Sequence, residues 1–420
     1  MKVFKNLKNC RICGSKNLVE VVKIDDQYLS PTFVESNENN PLSKIKVPHT
    51  LVLCEACTLL QLKETVEPDL LYKQYFYRSS VSDTMRADLQ DVVNDVISRT
   101  SLVEGDYVLD IGANDCTMIS YFPEFVNRCG IEPAENINWD HVDKNITIVN
   151  DYFGEESVAK AVGNNKIKIF TSCAMFYDLD NPNEFVSILK KYLHEEGVFC
   201  IQLSYLPAML RNINFYDICN EHLEYYCLTT LQNLMSRHDL DIYDASENDV
   251  NGGSVRVMIT HKNRNIKKTV RLLNLLRIEE EMNLDKIQTY KSFHDKILDM
   301  KNKITDTIGA ETKKGTLVIG LGGSTKGNML LQTFGIDKKT IPVISERNPD
   351  KVGLRTLGTD IELISEERAR AMKPTYMLVL PWYFKDEIVQ REKQYLQDGG
   401  KLLIPMPYPH IVHKDGETVL

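Results

Sequence analysis

No stretch of about 18 consecutive apolar residues occurs in the chain, so nothing in it is suited to span a bilayer as a helix. The opening residues, Met1-Lys2-Val3-Phe4-Lys5-Asn6-Leu7-Lys8, lack both an apolar core segment and a small-residue cleavage site. That argues against a secretory signal and makes a cytoplasmic location the expectation. Excess positive charge is missing as well. A net charge of -9 disfavours a general nucleic-acid binder, and no basic, aromatic stripe flanks the cysteines. Glycine is scarce where a dinucleotide fingerprint would need it, because the turn after Tyr107-Val108-Leu109-Asp110-Ile111 holds only Gly112. What is present is a soluble composition, 43% hydrophobic and 26% charged, over 420 residues. That length exceeds one ordinary core and suggests roughly two or three domains.

Ten cysteines in such a chain point to thiols or a metal rather than to a disulfide framework. Four of them form two pairs, Cys10-Arg11-Ile12-Cys13 and Cys54-Glu55-Ala56-Cys57. Each pair places two thiolates on a tight turn, and together they make a closed four-cysteine set of the structural zinc type. A set with four protein ligands has no open position, so this zinc is expected to staple the fold and not to catalyse. Cys116, Cys129, Cys173, Cys200, Cys219 and Cys227 are scattered singly and read as small buried hydrophobes. The polar insert from Glu35 to Pro41 reads as loop. After a tyrosine-rich run around Tyr72, Tyr75 and Tyr77, apolar residues recur at Met85, Leu89, Val92, Val93 and Val96 with a helical period.

A succession of strands and helices then predicts a parallel sheet. The first strand, Tyr107 to Ile111, ends in Asp110 and a glycine turn. The second ends in Gly130-Ile131-Glu132, a carboxylate placed to hold ribose hydroxyls. The third, Ile146 to Val149, leads to Asp151 and Tyr152, suited to the edge and face of adenine. A fourth, Ile167 to Ser172, leads to Met175-Phe176-Tyr177. A helix from about Asn183 to Glu196 then feeds a fifth strand from Val198 to Gln202. An acid after each of the first three strands is the pattern of an S-adenosylmethionine site. A charged helix is expected from about Lys267 to Ile308, with Leu272, Leu273, Leu276 and Met282 on its packed side. Beyond it, Gly320-Leu321-Gly322-Gly323-Ser324-Thr325-Lys326 repeats the strand, glycine turn and helix. There a lysine meets a helix N-terminus suited to an anion or diphosphate.

Between these α/β segments lies Tyr216-Asp217-Ile218-Cys219-Asn220-Glu221-His222-Leu223-Glu224-Tyr225-Tyr226. Charged runs of this kind are usually solvated faces. This run, the two cysteine pairs, Tyr75-Phe76-Tyr77-Arg78-Ser79-Ser80, Leu109-Asp110-Ile111-Gly112-Ala113-Asn114-Asp115 and Asn251-Gly252-Gly253-Ser254-Val255-Arg256 together resemble the sugar C-methyltransferase family. The resemblance covers essentially the whole chain. It implies an α/β architecture of three domains: a small four-cysteine zinc-binding domain (1–80), a class I methyltransferase domain (81–300) and a second, C-terminal Rossmann-like domain (301–420). It also implies methyl transfer from S-adenosylmethionine to carbon 3 of a nucleotide-linked 4-keto-6-deoxy sugar, as in deoxysugar biosynthesis, by a monomer with no nucleic-acid or membrane partner.

Carbon methylation requires that a proton next to a ketone leave and that the enolate be stabilised until it attacks the methyl group. His222 is the candidate base, with Glu221 or Glu224 beside it and Tyr75 or Tyr77 as donor to the enolate oxygen. Asp110, Gly112, Ala113, Asn114, Glu132, Asp151, Tyr152 and Met175 are the expected cofactor contacts. Asn220, Tyr225, Lys326 and Arg347 are the expected substrate contacts. The chain departs from the family pattern at Asn220, where histidine is usual, at Cys116, where glycine is usual, and at Met175-Phe176-Tyr177, which replaces a histidine-bearing form. The competing readings are methyl transfer to oxygen or nitrogen of a sugar or small metabolite, and a non-catalytic nucleotide-binding module.

Overall fold

The computed structural model describes residues 3–38 and 40–420, so Met1, Lys2 and, in the expected polar loop, Asn39 lie outside the described residues. Around the cysteine pairs, Leu18–Gln27, Val47–Cys54 and Leu60–Leu62 form an antiparallel sheet. Its fourth strand comes from far along the chain. Glu224–Tyr225 pairs with Leu60–Leu62, setting Glu224 opposite Gln61 and Tyr225 opposite Leu60.

The helix Asp83–Ser98 begins where the Ser82 hydroxyl accepts from the Met85 amide at 3.4 Å, and its buried stripe is Met85, Leu89, Val92, Val93 and Val96, as the spacing predicts. It leads into a seven-stranded sheet. Tyr107–Ile111, Asn127–Ile131, Ile146–Val149, Ile167–Cys173 and Leu193–Ser204 run parallel. Ser254–His261 returns antiparallel beside the fifth, and Leu240–Asn248 flanks it. In sequence order the sheet reads 3-2-1-4-5-7-6. The order reverses between the first and fourth strands, which opens a crevice at their carboxyl ends where such sheets bind ligands.

Two elements differ from expectation. The helix after the fourth strand spans Pro182–Tyr192, and the next strand starts at Leu193 because Leu193 already pairs with Ile167 before an irregularity brings Val198 opposite Ile169. The single charged helix is two, Val270–Glu281 and Ile287–Lys313, parted at Asn283 with a left-handed φ of 53°. Leu272 and Leu275 are buried there while Leu273 points to solvent, so the packed stripe is rotated from the expected one. Glu279 on the first helix is 3% exposed. It accepts from the Leu228 and Thr229 amides at 2.5 and 2.9 Å and from the Tyr205 hydroxyl at 2.8 Å, tying the helix start after Tyr226 to the fifth strand's end.

In the C-terminal sheet Val318–Leu321, Val343–Glu346, Glu362–Ser365, Tyr376–Val379 and Lys401–Ile404 run parallel, again with a reversal beside the first strand. Its edge is closed by an N-terminal segment. Phe33–Val34 pairs antiparallel with Arg355–Thr356. The helix Ile287–Lys313 runs unbroken through residue 300, and strands are exchanged in both directions across the chain.

Candidate active site

The run from Phe215 to Tyr226 is buried at every position, although it carries three acids and a histidine. It is not a solvated face. The Leu223 and Glu224 amides donate to the Tyr177 carbonyl at 2.8 and 3.0 Å, from the loop after the fourth strand, and the Leu62 amide donates to the Leu223 carbonyl at 2.9 Å. His222 is thereby held between the zinc-type module and the carboxyl edge of the large sheet. A small cavity lies against it, lined by Tyr177, Ser204, Tyr205, Met209, Asp217 and His222.

Electrostatics in this cluster follow from burial. The His222 ring, 4.1 Å from that of Tyr177, is pushed down to about 3 by burial and then by the nearby Lys326 cation, against a hydrogen bond to the Asp217 backbone. At neutral pH it is an uncharged imidazole. A neutral imidazole keeps one unprotonated ring nitrogen that can accept a proton. Glu221 is pushed up to about 7 by burial, opposed by a hydrogen bond from Cys219 and by Lys326. Asp178 is raised well above the usual carboxylate range by burial and then by Glu221 and Glu224.

Lys326 opens the helix Thr325–Phe334, yet its ammonium is turned into this cluster. It pairs with Asp217 at 2.6 Å and sits 5.3 and 5.5 Å from the Tyr216 and Tyr383 rings. Tyr75 is half-buried, its phenol is raised by burial and then by Glu221 and Asp178, and its ring lies 6.4 Å from that of Tyr72, whose hydroxyl donates to the Glu221 carbonyl at 3.3 Å. Tyr77 is 43% exposed, and its carbonyl accepts from the Asn114 side chain at 3.1 Å. Glu224 has neither carboxylate oxygen hydrogen-bonded, and its nearest cation is the Arg11 Nε at 3.6 Å. Tyr225 donates weakly to the Asp217 and His222 carbonyls, both at 3.3 Å. Asn220 accepts from the Ser30 amide and hydroxyl at 3.2 and 3.4 Å, so it faces the N-terminal segment. Arg347 lies half-exposed at the surface, 3.4 Å from Glu387, apart from the His222 cluster.

The cofactor side is built at the ends of the first two strands. Asp110 is buried, accepts from the Thr171 hydroxyl at 2.8 Å and is pushed up to about 8 by burial. Gly112 has a φ of 74°, and an added Cβ would stand 3.3 Å from Met175 Cγ, so a side chain there would strain the backbone and crowd Met175. Glu132 accepts from the Asn114 and Ala134 amides at 2.8 and 2.9 Å, which fixes its carboxylate beside the glycine turn with lone pairs to spare. Ala113 is buried beneath that turn, 2.9 Å from where a Cβ on Gly130 would sit. Asn114 takes the Ser79 amide at 3.1 Å, so its side chain anchors the tyrosine segment. Cys116, at φ 63°, occupies the left-handed region that glycine enters freely. Asp151 and Tyr152 are exposed at the third strand's end. Asp151 pairs with Lys160 at 3.3 Å, and the Tyr152 hydroxyl donates to Asp69 at 3.0 Å.

The cysteine pairs converge. Cys10 and Cys57 sulfurs are 3.5 Å apart, as are those of Cys13 and Cys54, and all four lie within 4.8 Å of one another. Tetrahedral zinc with bonds of about 2.3 Å needs sulfurs about 3.8 Å apart, so the donor set fits that ion. The six other cysteines are free, and all but the half-buried Cys173 are fully buried. Tyr177 and Asp217 lie in segments the sequence singles out, but neither they nor Asp178 carries a local signal of a site role. Arg11 gives no signal of its own in the sequence, since the reach of its guanidinium depends on distant partners.

Three family models match the chain in succession: a zinc binding domain over residues 10–72, a methyltransferase domain over 85–245 and a C-methyltransferase C-terminal domain over 249–407. The C-methyltransferase NovU of Streptomyces niveus is 27% identical over 414 residues, 98% of each chain. Similar solved structures include an S-adenosylmethionine-dependent methyltransferase from Clostridium acetobutylicum, 11% identical over 43% of this chain and 93% of that one with a TM-score of 0.34. Another is the 1,6-didemethyltoxoflavin-N1-methyltransferase of Burkholderia thailandensis with S-adenosylhomocysteine, 13% identical over 41% and 76% with a TM-score of 0.32. By its domain models the chain is a methyltransferase. Within that class it is of the C-methyltransferase kind, in which a zinc-binding domain precedes the methyltransferase domain and a dedicated C-terminal domain follows it. Among the described residues no helix is long and apolar enough to cross a membrane.

Proposed function

We propose that the protein methylates carbon 3 of a nucleotide-linked 4-keto deoxy sugar, with His222 as proton acceptor. The observation that carries this reading is the crowd of buried polar atoms without hydrogen-bond partners around His222. Glu221 Oε2, Asn220 Nδ2 and the Tyr216 hydroxyl are unpaired within the run that carries His222, and Asp178 Oδ1 is unpaired in the loop beside Tyr177. Burying so many such groups is costly unless a ligand rich in hydroxyl and carbonyl groups answers them, and a deoxy sugar with a ketone does so. S-adenosylmethionine supplies an electrophilic methyl group at the crevice edge. Asp110, Gly112 and Glu132 would hold it there, with Met175 against the glycine turn and Asp151 and Tyr152 at the outer rim.

His222 takes the proton α to the ketone on its free nitrogen. The imidazolium that forms is buried and needs a counter-charge, which the neighbouring Glu221 provides once ionised. Tyr75 donates to the developing enolate oxygen. Lys326 would meet the substrate's diphosphate. Drawn to that anion, its charge is screened from His222, which raises the ring's proton affinity when substrate is bound. In this reading residues 1–80, 81–300 and 301–420 act as staple, methyl-transfer unit and nucleotide holder.

Because Glu221 must lose its proton, kcat/KM should rise with increasing pH through about 7 and level off above it. Glu221→Gln should remove that limb and lower kcat by about 10²-fold. A wild-type profile that is flat across neutrality would remove Glu221 from the proposed role. Incubation with S-adenosylmethionine and a panel of nucleotide 4-keto sugars, read as a gain of one methyl mass, tests the substrate class. No gain on any of them, with gain on a non-sugar metabolite, would overturn it.

A further inference from the structure

We propose that Arg11 is a positioning residue, through which the cysteine module sets the place of the strand that carries His222. Arg11 sits inside the first cysteine pair, and its side chain is 1% exposed. Its guanidinium reaches three segments at once. Nη1 donates to the Leu62 carbonyl at 2.7 Å and to the Leu223 carbonyl at 3.4 Å, and Nη2 donates to the Thr65 hydroxyl at 2.7 Å. Nε lies 3.6 Å from Glu224 and 3.7 Å from Asp180.

The residue's backbone is fixed as firmly. Its amide donates to Gln61 Oε1 at 3.1 Å, and the Asn183 side chain donates to the Arg11 and Ile12 carbonyls, both at 2.9 Å. Asn183 belongs to the helix Pro182–Tyr192, whose Phe185 ring lies 6.5 Å from that of Phe199 in the fifth strand of the large sheet. The metal knuckle is therefore gripped by the methyltransferase sheet on one side and grips the His222 strand on the other. The Leu223 carbonyl, next in sequence to His222, is the shared acceptor of Arg11 and the Leu62 amide.

A two-residue strand has too few ladder bonds to hold its own place, and the buried Glu224 carboxylate has no hydrogen bond of its own. Only a planar fork with several donors can satisfy two carbonyls and face a carboxylate together, and lysine cannot reproduce it. The cysteine module thus acts on the reaction beyond stapling the fold. This rests on the role given above to His222 for its kinetic consequence, but not for its structural one.

The test uses the full-length, zinc-loaded Arg11→Lys and Arg11→Met chains, with zinc content, S-adenosylmethionine affinity by calorimetry, amide hydrogen exchange and steady-state kinetics measured on each. Both variants should keep one zinc per chain and cofactor affinity within about twofold. Exchange should accelerate in the peptide spanning residues 217–226 while residues 47–57 stay protected. A displacement of the base by about 1 Å should lower kcat by on the order of 10²-fold with KM little changed. Unchanged exchange at 217–226 with unchanged kcat overturns the proposal. So does loss of zinc in step with activity, which would make Arg11 a folding residue only. If no sugar substrate is found, the exchange result still decides the positioning role.

Discussion

Replacing His222 with alanine should lower turnover by roughly 10² to 10⁴-fold, the range associated with a positioned acid or base, while S-adenosylmethionine still binds. The separation is expected because the two functions sit on different elements. Asp110, Gly112 and Glu132 are fixed by the first two strands of the large sheet and by the Thr171, Asn114 and Ala134 contacts, none of which involves the 216–226 run. His222, by contrast, packs on Tyr177 beside the Asp217–Lys326 pair. Solvent deuterium should enter the substrate carbon in the wild type without methyl transfer and stay out in the variant. Since the ring is buried, His222→Gln, which keeps most of the volume, should be compared in the same assay. A variant that no longer binds the cofactor by calorimetry would give His222 a structural role. One that still exchanges deuterium at full rate would move the proton acceptor to Glu221.

The second large effect is on stability. Cys54→Ser should release the zinc and unfold the N-terminal module, since isolated zinc modules draw about 10–16 kcal/mol of apparent folding free energy from the metal. Cys54 ends the strand Val47–Cys54 and is itself buried, so the serine hydroxyl neither binds zinc well nor finds another role there. Metal analysis should fall from one zinc per chain to none, with an early unfolding step appearing in calorimetry. Turnover should vanish too, because Glu224–Tyr225 is the edge strand of the sheet that melts. Retention of a full zinc by the variant would rule out the four-cysteine site.

Much of the methyltransferase unit was legible because its signals are local. A strand, a turn and an acid within a dozen residues announce Asp110 and Glu132, and a pair of cysteines three apart announces itself. The stripe from Met85 to Val96 was legible for the same reason, as a period. What stayed hidden depends on distant partners. Phe33–Val34 and Glu224–Tyr225 are too short to show a period, so their pairing across the chain had no signature. The burial of Glu221, His222 and Glu224 was equally hidden, because it arises from cover by three parts of the chain and not from their own hydropathy. Lys326 was read correctly as the first-turn lysine of a helix, but its turn toward Asp217 follows from how the C-terminal sheet docks.

The exchange of the Phe33–Val34 strand has a consequence for the order of events during synthesis. Asn37, beside that strand, donates to the Thr356 carbonyl 319 positions later. At about 5–20 residues per second, the early segment leaves the ribosome tens of seconds before its partner exists. Its backbone donors and acceptors have only water to bond for that time, and the C-terminal sheet stays open at one edge until the earliest part of the chain returns to close it. Nascent chains stopped short of Arg355 therefore carry a hydrophobic two-residue edge that other chains can pair with.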